Sequence, residues 1–141
     1  YQFKQLKKES MATIFSKIIA GDIPSYKIAE NDNFYAFLDI NPMAKGHTLV
    51  VPKQEIDYIF DLDDVLLGDM VIFAKRVAAA IKKAVPCNRV GLMVIGLEVP
   101  HAHIHLVPII KEGDMNLSNP KMKFTNEEFI EIAEIIKKEF K

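Results

Sequence analysis

Residues 101–106 read His-Ala-His-Ile-His-Leu, so three of the chain's four histidines stand at alternate positions with apolar residues between them. Side chains of a β-strand project to opposite faces in turn. The alternation therefore assigns His101, His103 and His105 to one face and Ala102, Ile104 and Leu106 to the other. The expected element is a strand with one buried face and one face of imidazoles. Histidine is polar and titrates near pH 6.5. Three in a row add little to a core and repel one another once protonated, so the row is expected to bind something or attack it.

The chain has 141 residues, half of them apolar, which suits one domain around one core. Eighteen Lys and Arg against nineteen Asp and Glu leave no basic field for gripping long nucleic acid, and small ligands fit better. Cys87 is the only cysteine, which excludes an internal disulfide and leads us to expect a reducing, cytoplasmic setting. No apolar run reaches the roughly 18 residues of a membrane span, so no membrane partner is expected. Residues 1–10 are polar and precede Met11. They read as a leader, linker or tag remnant, ahead of a domain over 11–141 with its core in 13–110 and a C-terminal extension and helix in 111–141.

Thr13 is a suitable N-cap for a short helix through Ile14, Phe15, Ile18 and Ile19, stopped by Gly21 and Pro24. Lys27–Glu30 and Phe34–Leu38 read as a hairpin about Asn31-Asp32-Asn33, and His47–Val51 as a third strand ended by Pro52. A long helix capped by Asp61 is expected to run to Ala84 before Pro86. Val90–Ile95 and Ala102–Ile109 then pair antiparallel beside the third strand. Residues 111–124 form an ordered surface excursion. Thr125 with Glu128 makes a capping box, and Phe124 with Phe129 a hydrophobic staple, for a final helix. This order of elements indicates an α+β domain on an antiparallel sheet.

The imidazole row admits three chemistries. His-x-His on a strand could meet one zinc ion, with His47 as a further ligand. A neutral ring nitrogen could instead attack an electrophile such as phosphorus, and His103, flanked by an imidazole on either side, is the natural nucleophile. The third reading, incidental solvent-facing histidines, suits one such residue better than three together.

Residues 101–107, His-Ala-His-Ile-His-Leu-Val, resemble the His-φ-His-φ-His-φ-φ signature of the histidine triad superfamily, φ being apolar. The stretches 13–24, 37–42 and 46–53 resemble, in the same order, their counterparts in its Hint-like branch. The resemblance implies a HIT-like antiparallel five-stranded sheet with two main helices, in a homodimer that continues the sheet. It further implies a nucleotide-binding hydrolase or transferase acting at the α-phosphate of purine nucleoside monophosphate derivatives, phosphoramidates or AMP esters, through a nucleotidyl-histidine intermediate. His103 would be the nucleophile, with His101 and His105 contacting phosphate or leaving-group atoms and His47 completing the site. Asp39 would accept hydrogen bonds from the ribose hydroxyls, and Phe15, Ile18, Phe37, Leu38 and Ile40 would line the purine pocket. The alternatives are a dinucleoside polyphosphate hydrolase and a low-turnover nucleotide-binding or scaffold module.

Two departures from the resemblance bear on chemistry. Zinc-binding relatives carry Cys-x-x-Cys where this chain has Thr13-Ile-Phe-Ser16, and hydroxyls do not replace thiolates, so no metal or other cofactor is expected. Gly96-Leu97-Glu98 stands where Gly-Gln-Ser or Gly-Gln-Thr is usual. Glu98 would repel a phosphate, and could instead contact a cationic leaving group or take part in proton transfer.

Overall fold

The Thr13 hydroxyl accepts the Ser16 amide N–H at 3.1 Å while its own backbone stays extended, and this opens helix α1, Ile14–Ala20. The computed structural model describes residues 12–141, so the reading of residues 1–10 as a leader lies outside the described residues. Gly21 ends α1 in the left-handed region at φ +86°, which a residue without Cβ adopts at no steric cost.

Strands β1 (Lys27–Glu30) and β2 (Phe34–Leu38) form the expected hairpin. In its turn the Asn31 side chain accepts the amides of Asn33 and Phe34. Strand β3 covers Thr48–Pro52, β4 Arg89–Met93 and β5 Ile104–Ile109, all antiparallel to their neighbours in the order β1-β2-β3-β5-β4. The last strand is thus inserted between the third and the fourth. The long helix α2 spans Asp64–Ala84 and is capped by Asp63, whose carboxylate accepts the Leu66 amide at 2.8 Å. Asp61, the cap expected from sequence, lies in a 3-10 turn over Ile59–Asp61, because buried Leu62 adds a step before the helix can start. Helix α3, Asn126–Glu139, begins with the expected Thr125–Glu128 capping box, and Phe124 packs edge-on against Phe129 with centroids 5.4 Å apart.

The sheet has two covered faces. Phe34, Ala36, Leu38, Val50, Ala102, Ile104 and Leu106 meet α2 and α3 through Met70, Phe73, Val77, Ile81, Phe129 and Ile136. Burying each large side chain of this kind stabilises the fold by about 1.5–3 kcal/mol. On the other face Tyr35, Phe37, Leu49 and Val51 pack under Phe15 and Ile18 of α1. The imidazole row runs along this second face. The alternation is as expected, and the imidazole side is covered as well: His101, His103 and His105 are all buried, with Phe15 of α1 packed edge-on against His101 and His103.

Candidate active site

Register places the histidines. His105 sits opposite Leu49 on β3 and Met93 on β4, while His101 and His103 precede the ladder of β5 on an extended run pinned by the Ala102 amide to the Ile56 carbonyl at 2.7 Å. His47 directly precedes β3. Gly46 before it turns at φ +94°, and a Cβ there would come within 3.0 Å of a Val85 methyl, so the close turn that delivers His47 requires glycine.

The partners of the rings fix which nitrogens carry protons, since a carbonyl only accepts and an amide N–H only donates. The Met43 amide donates to His47 Nδ1 at 3.0 Å, leaving the His47 proton on Nε2. That Nε2–H lies 3.0 Å from His105 Nδ1 and donates to it, which puts the His105 proton on its Nε2. His103 Nδ1 is 2.8 Å from the His101 carbonyl and must donate to it, so His103 Nε2 is the bare nitrogen. His103 and His105, with ring centroids 4.9 Å apart, therefore hold opposite tautomers, one a lone pair and the other a donor. Neither of these two Nε2 atoms has a hydrogen-bond partner among the described residues. His101 differs: Nε2 donates to the Pro52 carbonyl at 2.7 Å and Nδ1 meets the Thr13 hydroxyl at 2.7 Å.

Burial keeps the rings of His47, His105 and His101 neutral. It pulls His47 down to about 3, helped by His105 and Lys121, and His105 down to about 4, helped by His103. His101 is likewise lowered by burial. Asp39 is raised, again by burial, which outweighs the Asn41 amide and the nearby charge of Lys121.

A cavity of about 480 Å³ opens against His103, His105 and His47. Its apolar wall is Phe15, Ile18, Phe37, Leu38 and Leu49, with Ile40 at the mouth, so all five residues assigned to a purine pocket line one space. Asp39 lies on the wall. Its Oδ1 accepts the Asn41 amide at 2.8 Å in a tight turn, while Oδ2 stands 3.6 Å from His47 Nε2. One oxygen serves the turn and the other faces the site. Glu98 lines the exposed rim with Leu97. His101 is not among the lining residues, being fully buried behind the others with both ring nitrogens engaged.

Asp39, His47 and His105 bring ligand-type atoms within 4.8 Å of one another, the one such group of metal-binding residue types among the described residues. A cation there would need His47 Nε2 bare. The Met43 amide, aimed at Nδ1, holds the proton on that Nε2, so the donor set suits a hydrogen-bond relay better than a metal. The Thr13 and Ser16 hydroxyls are engaged with His101 and Glu55.

Sequence reasoning missed Lys121 and Leu117, which the excursion after β5 carries to the cavity wall. The Met122 amide pins that excursion to the Pro42 carbonyl at 2.8 Å, and Lys121 Nζ donates to the carbonyls of Leu117 and Asn119. The polar, aperiodic sequence of residues 111–124 gave no signal of this approach. Sequence reasoning also missed Glu55, which does not line the cavity; its carboxylate binds the start of α1.

Residues 20–112 match the HIT domain. The chain is similar to the adenosine 5'-monophosphoramidase of Schizosaccharomyces pombe, 35% identical over 136 residues that cover 93% of this chain and all of that protein. It is also 42% identical to the adenosine 5'-monophosphoramidase of Saccharomyces cerevisiae over 98 residues, which span 69% of this chain and 62% of the yeast protein. The structure of a Hit-like protein from Bartonella henselae involved in cell-cycle regulation superposes with a TM-score of 0.80 at 32% identity, covering 91% of this chain and 96% of that one. With its imidazole row on the described five-stranded antiparallel sheet, the chain belongs to the histidine triad, or HIT, family.

Proposed function

We propose that this chain hydrolyses purine nucleoside monophosphate derivatives, phosphoramidates or AMP esters, through a nucleotidyl-His103 intermediate. The observation that carries the reading is the pair of opposite tautomers. His103 offers a bare Nε2 to the cavity, and His105 offers an Nε2–H beside it. In this mechanism His103 Nε2 attacks the α-phosphorus and the bond from phosphorus to the leaving nitrogen or oxygen breaks. The leaving atom takes up a proton from solvent in the cavity, while His105 Nε2–H donates a hydrogen bond to a non-bridging phosphate oxygen as charge builds there. Water then attacks the same phosphorus, the bond to His103 breaks, AMP leaves, and the proton lost by water returns to solvent. His103 Nδ1–H stays on the His101 carbonyl throughout, which supports the charge on the modified ring. No step asks for a metal.

The purine lies against Phe15, Phe37 and Ile18 in this reading, and the free Asp39 oxygen accepts the ribose hydroxyls. A low-turnover binding module is the second reading, and Glu98 favours it, because a carboxylate on the rim opposes an incoming phosphate. We further propose a homodimer through the free edge of β4; Leu92 on that strand and Ile95 just after it are exposed, as are Val71 and Ile72 on α2. The functional test is AMP release from adenosine phosphoramidate in the presence of a chelator. The hydrolase reading expects turnover that chelation leaves unchanged and that His103→Ala abolishes. AMP binding without release by the parent chain would support the second reading.

A further inference from the structure

The ring of His101 is buried more completely than its neighbours and takes no part in the cavity, yet both of its nitrogens are held. Because Nε2 must donate to the Pro52 carbonyl, the neutral ring leaves Nδ1 bare, and the donor it meets is the hydroxyl of Thr13. That hydroxyl also accepts the Ser16 amide as the cap of α1. Glu55, just beyond β3, secures the same point: its Oε1 accepts the Thr13 amide and the Ser16 hydroxyl, each at 2.8 Å. The Thr13 amide is the main reason the Glu55 carboxyl stays below its ordinary range.

These contacts join three separate segments at one ring: the cap of α1, the end of β3 and the entry to β5. Two consequences reach the site. The carbonyl of His101 is the acceptor that fixes the proton of His103 on Nδ1, so the placement of His101 sets the tautomer of the neighbouring ring. Helix α1 also carries Phe15, which packs edge-on against both His101 and His103, with centroids 5.7 and 5.1 Å away. The cap of α1 thus registers the apolar wall of the cavity against the reactive nitrogen.

We propose that Thr13 and Glu55 are positioning residues for His103: the Pro52 carbonyl sets the Nε2–H form of His101, Thr13 holds that ring in place through its bare Nδ1, and Glu55 holds Thr13. The kinetic part rests on the hydrolase reading above, while the tautomer part stands without it. Removing the hydroxyl leaves a fully buried ring nitrogen without a donor, so the ring turns or changes form and carries its carbonyl with it. Errors of this kind in the support of a reacting group cost about 10- to 100-fold.

The test compares the parent chain with Thr13→Val, Thr13→Ser and Glu55→Ala, recording ring nitrogen resonances of His101 and His103 by NMR and steady-state kinetics on adenosine phosphoramidate. Thr13→Val is expected to lose the single-tautomer signature of His101, disturb that of His103, and lower kcat by about tenfold or more with KM less affected. Thr13→Ser restores both signatures and the rate, which a requirement for bulk at the cap would not. Glu55→Ala, a change at the surface, moves both readouts in the same direction by less, and decides the matter if Thr13→Val does not fold. Parental tautomers and parental kcat in Thr13→Val, or in Glu55→Ala where the valine variant does not fold, overturn the proposal. If the parent releases no AMP the hydrolase reading has failed, and the nitrogen signatures alone decide this one.

Discussion

The cavity has an inner wall and an outer rim, and they are built differently. The inner wall, His103, His105, His47, Asp39 and the apolar residues of α1 and β2, is buried or nearly so and is supported by backbone partners that fix its protons. The rim, Leu97, Glu98, Leu117 and Lys121, is exposed and comes from two connecting segments, with Lys121 tied to carbonyls of its own loop. A rigid wall preorganises a reaction, whereas an exposed rim selects among leaving groups at small energetic cost. The proposed chemistry therefore belongs to the wall, and preference among substrates to the rim.

The strongest way to break this division is to remove the nucleophile. His103→Ala is expected to lower kcat by at least about a thousandfold while AMP still binds, because the apolar wall and Asp39 remain. Calorimetric titration with AMP beside turnover measurements checks both halves.

The second expectation concerns acid. His47 and His105 titrate at about 3 and about 4 in the fold, against about 6.5 in an unfolded chain. Between these values the unfolded chain binds more protons, so stability is fully present above about pH 6.5 and falls as pH falls, by roughly 1 kcal/mol per pH unit for each ring. Asp39, raised in the fold, acts with the opposite sign, and Glu55, lowered, adds its loss only below the usual carboxylate range. Thermal melting from pH 7 to pH 5 should show a falling midpoint for the parent, and a flatter profile for His105→Asn.

Asp39→Ala sharpens the comparison within the wall. Loss of the ribose acceptor is expected to lower kcat/KM about 10- to 100-fold for nucleotides and to leave a deoxyribose analogue less affected. The smallest effects belong to the rim: Lys121→Ala and Glu98→Gln should each change kcat/KM by no more than about tenfold. Opposite changes are expected for anionic and cationic leaving groups, read from paired substrates. A rim variant as damaging as His103→Ala would dissolve the distinction between wall and rim.

Much of the inner wall was legible in the sequence because its residues follow local rules. Alternation placed His101, His103 and His105 on one face, and Thr13, Gly21 and the Thr125–Glu128 box marked helix ends through chemistry that acts over three or four residues. The family resemblance supplied Asp39, Phe15 and Phe37, which periodicity alone would have left as a turn and as core. The arrangement of partners was not legible. Nothing local to His101 indicates that its nitrogens are satisfied from residues 88 and 49 positions away, so its complete burial could not be read from the alternation. Lys121 was missed for a related reason: a single amide, Met122 to Pro42, brings its segment to the cavity, and the polar composition of residues 111–124 reads the same with or without that contact. The shift of the α2 cap from Asp61 to Asp63 is a smaller case, decided by the burial of Leu62.

The most direct test of the central claim is intact-protein mass spectrometry after brief mixing with adenosine phosphoramidate at mildly acidic pH, with parent and His103→Ala side by side. An AMP adduct is expected on the parent alone, lost again as AMP is released. AMP release with an equal adduct on the alanine variant, or release by the variant at the parental rate, would contradict it.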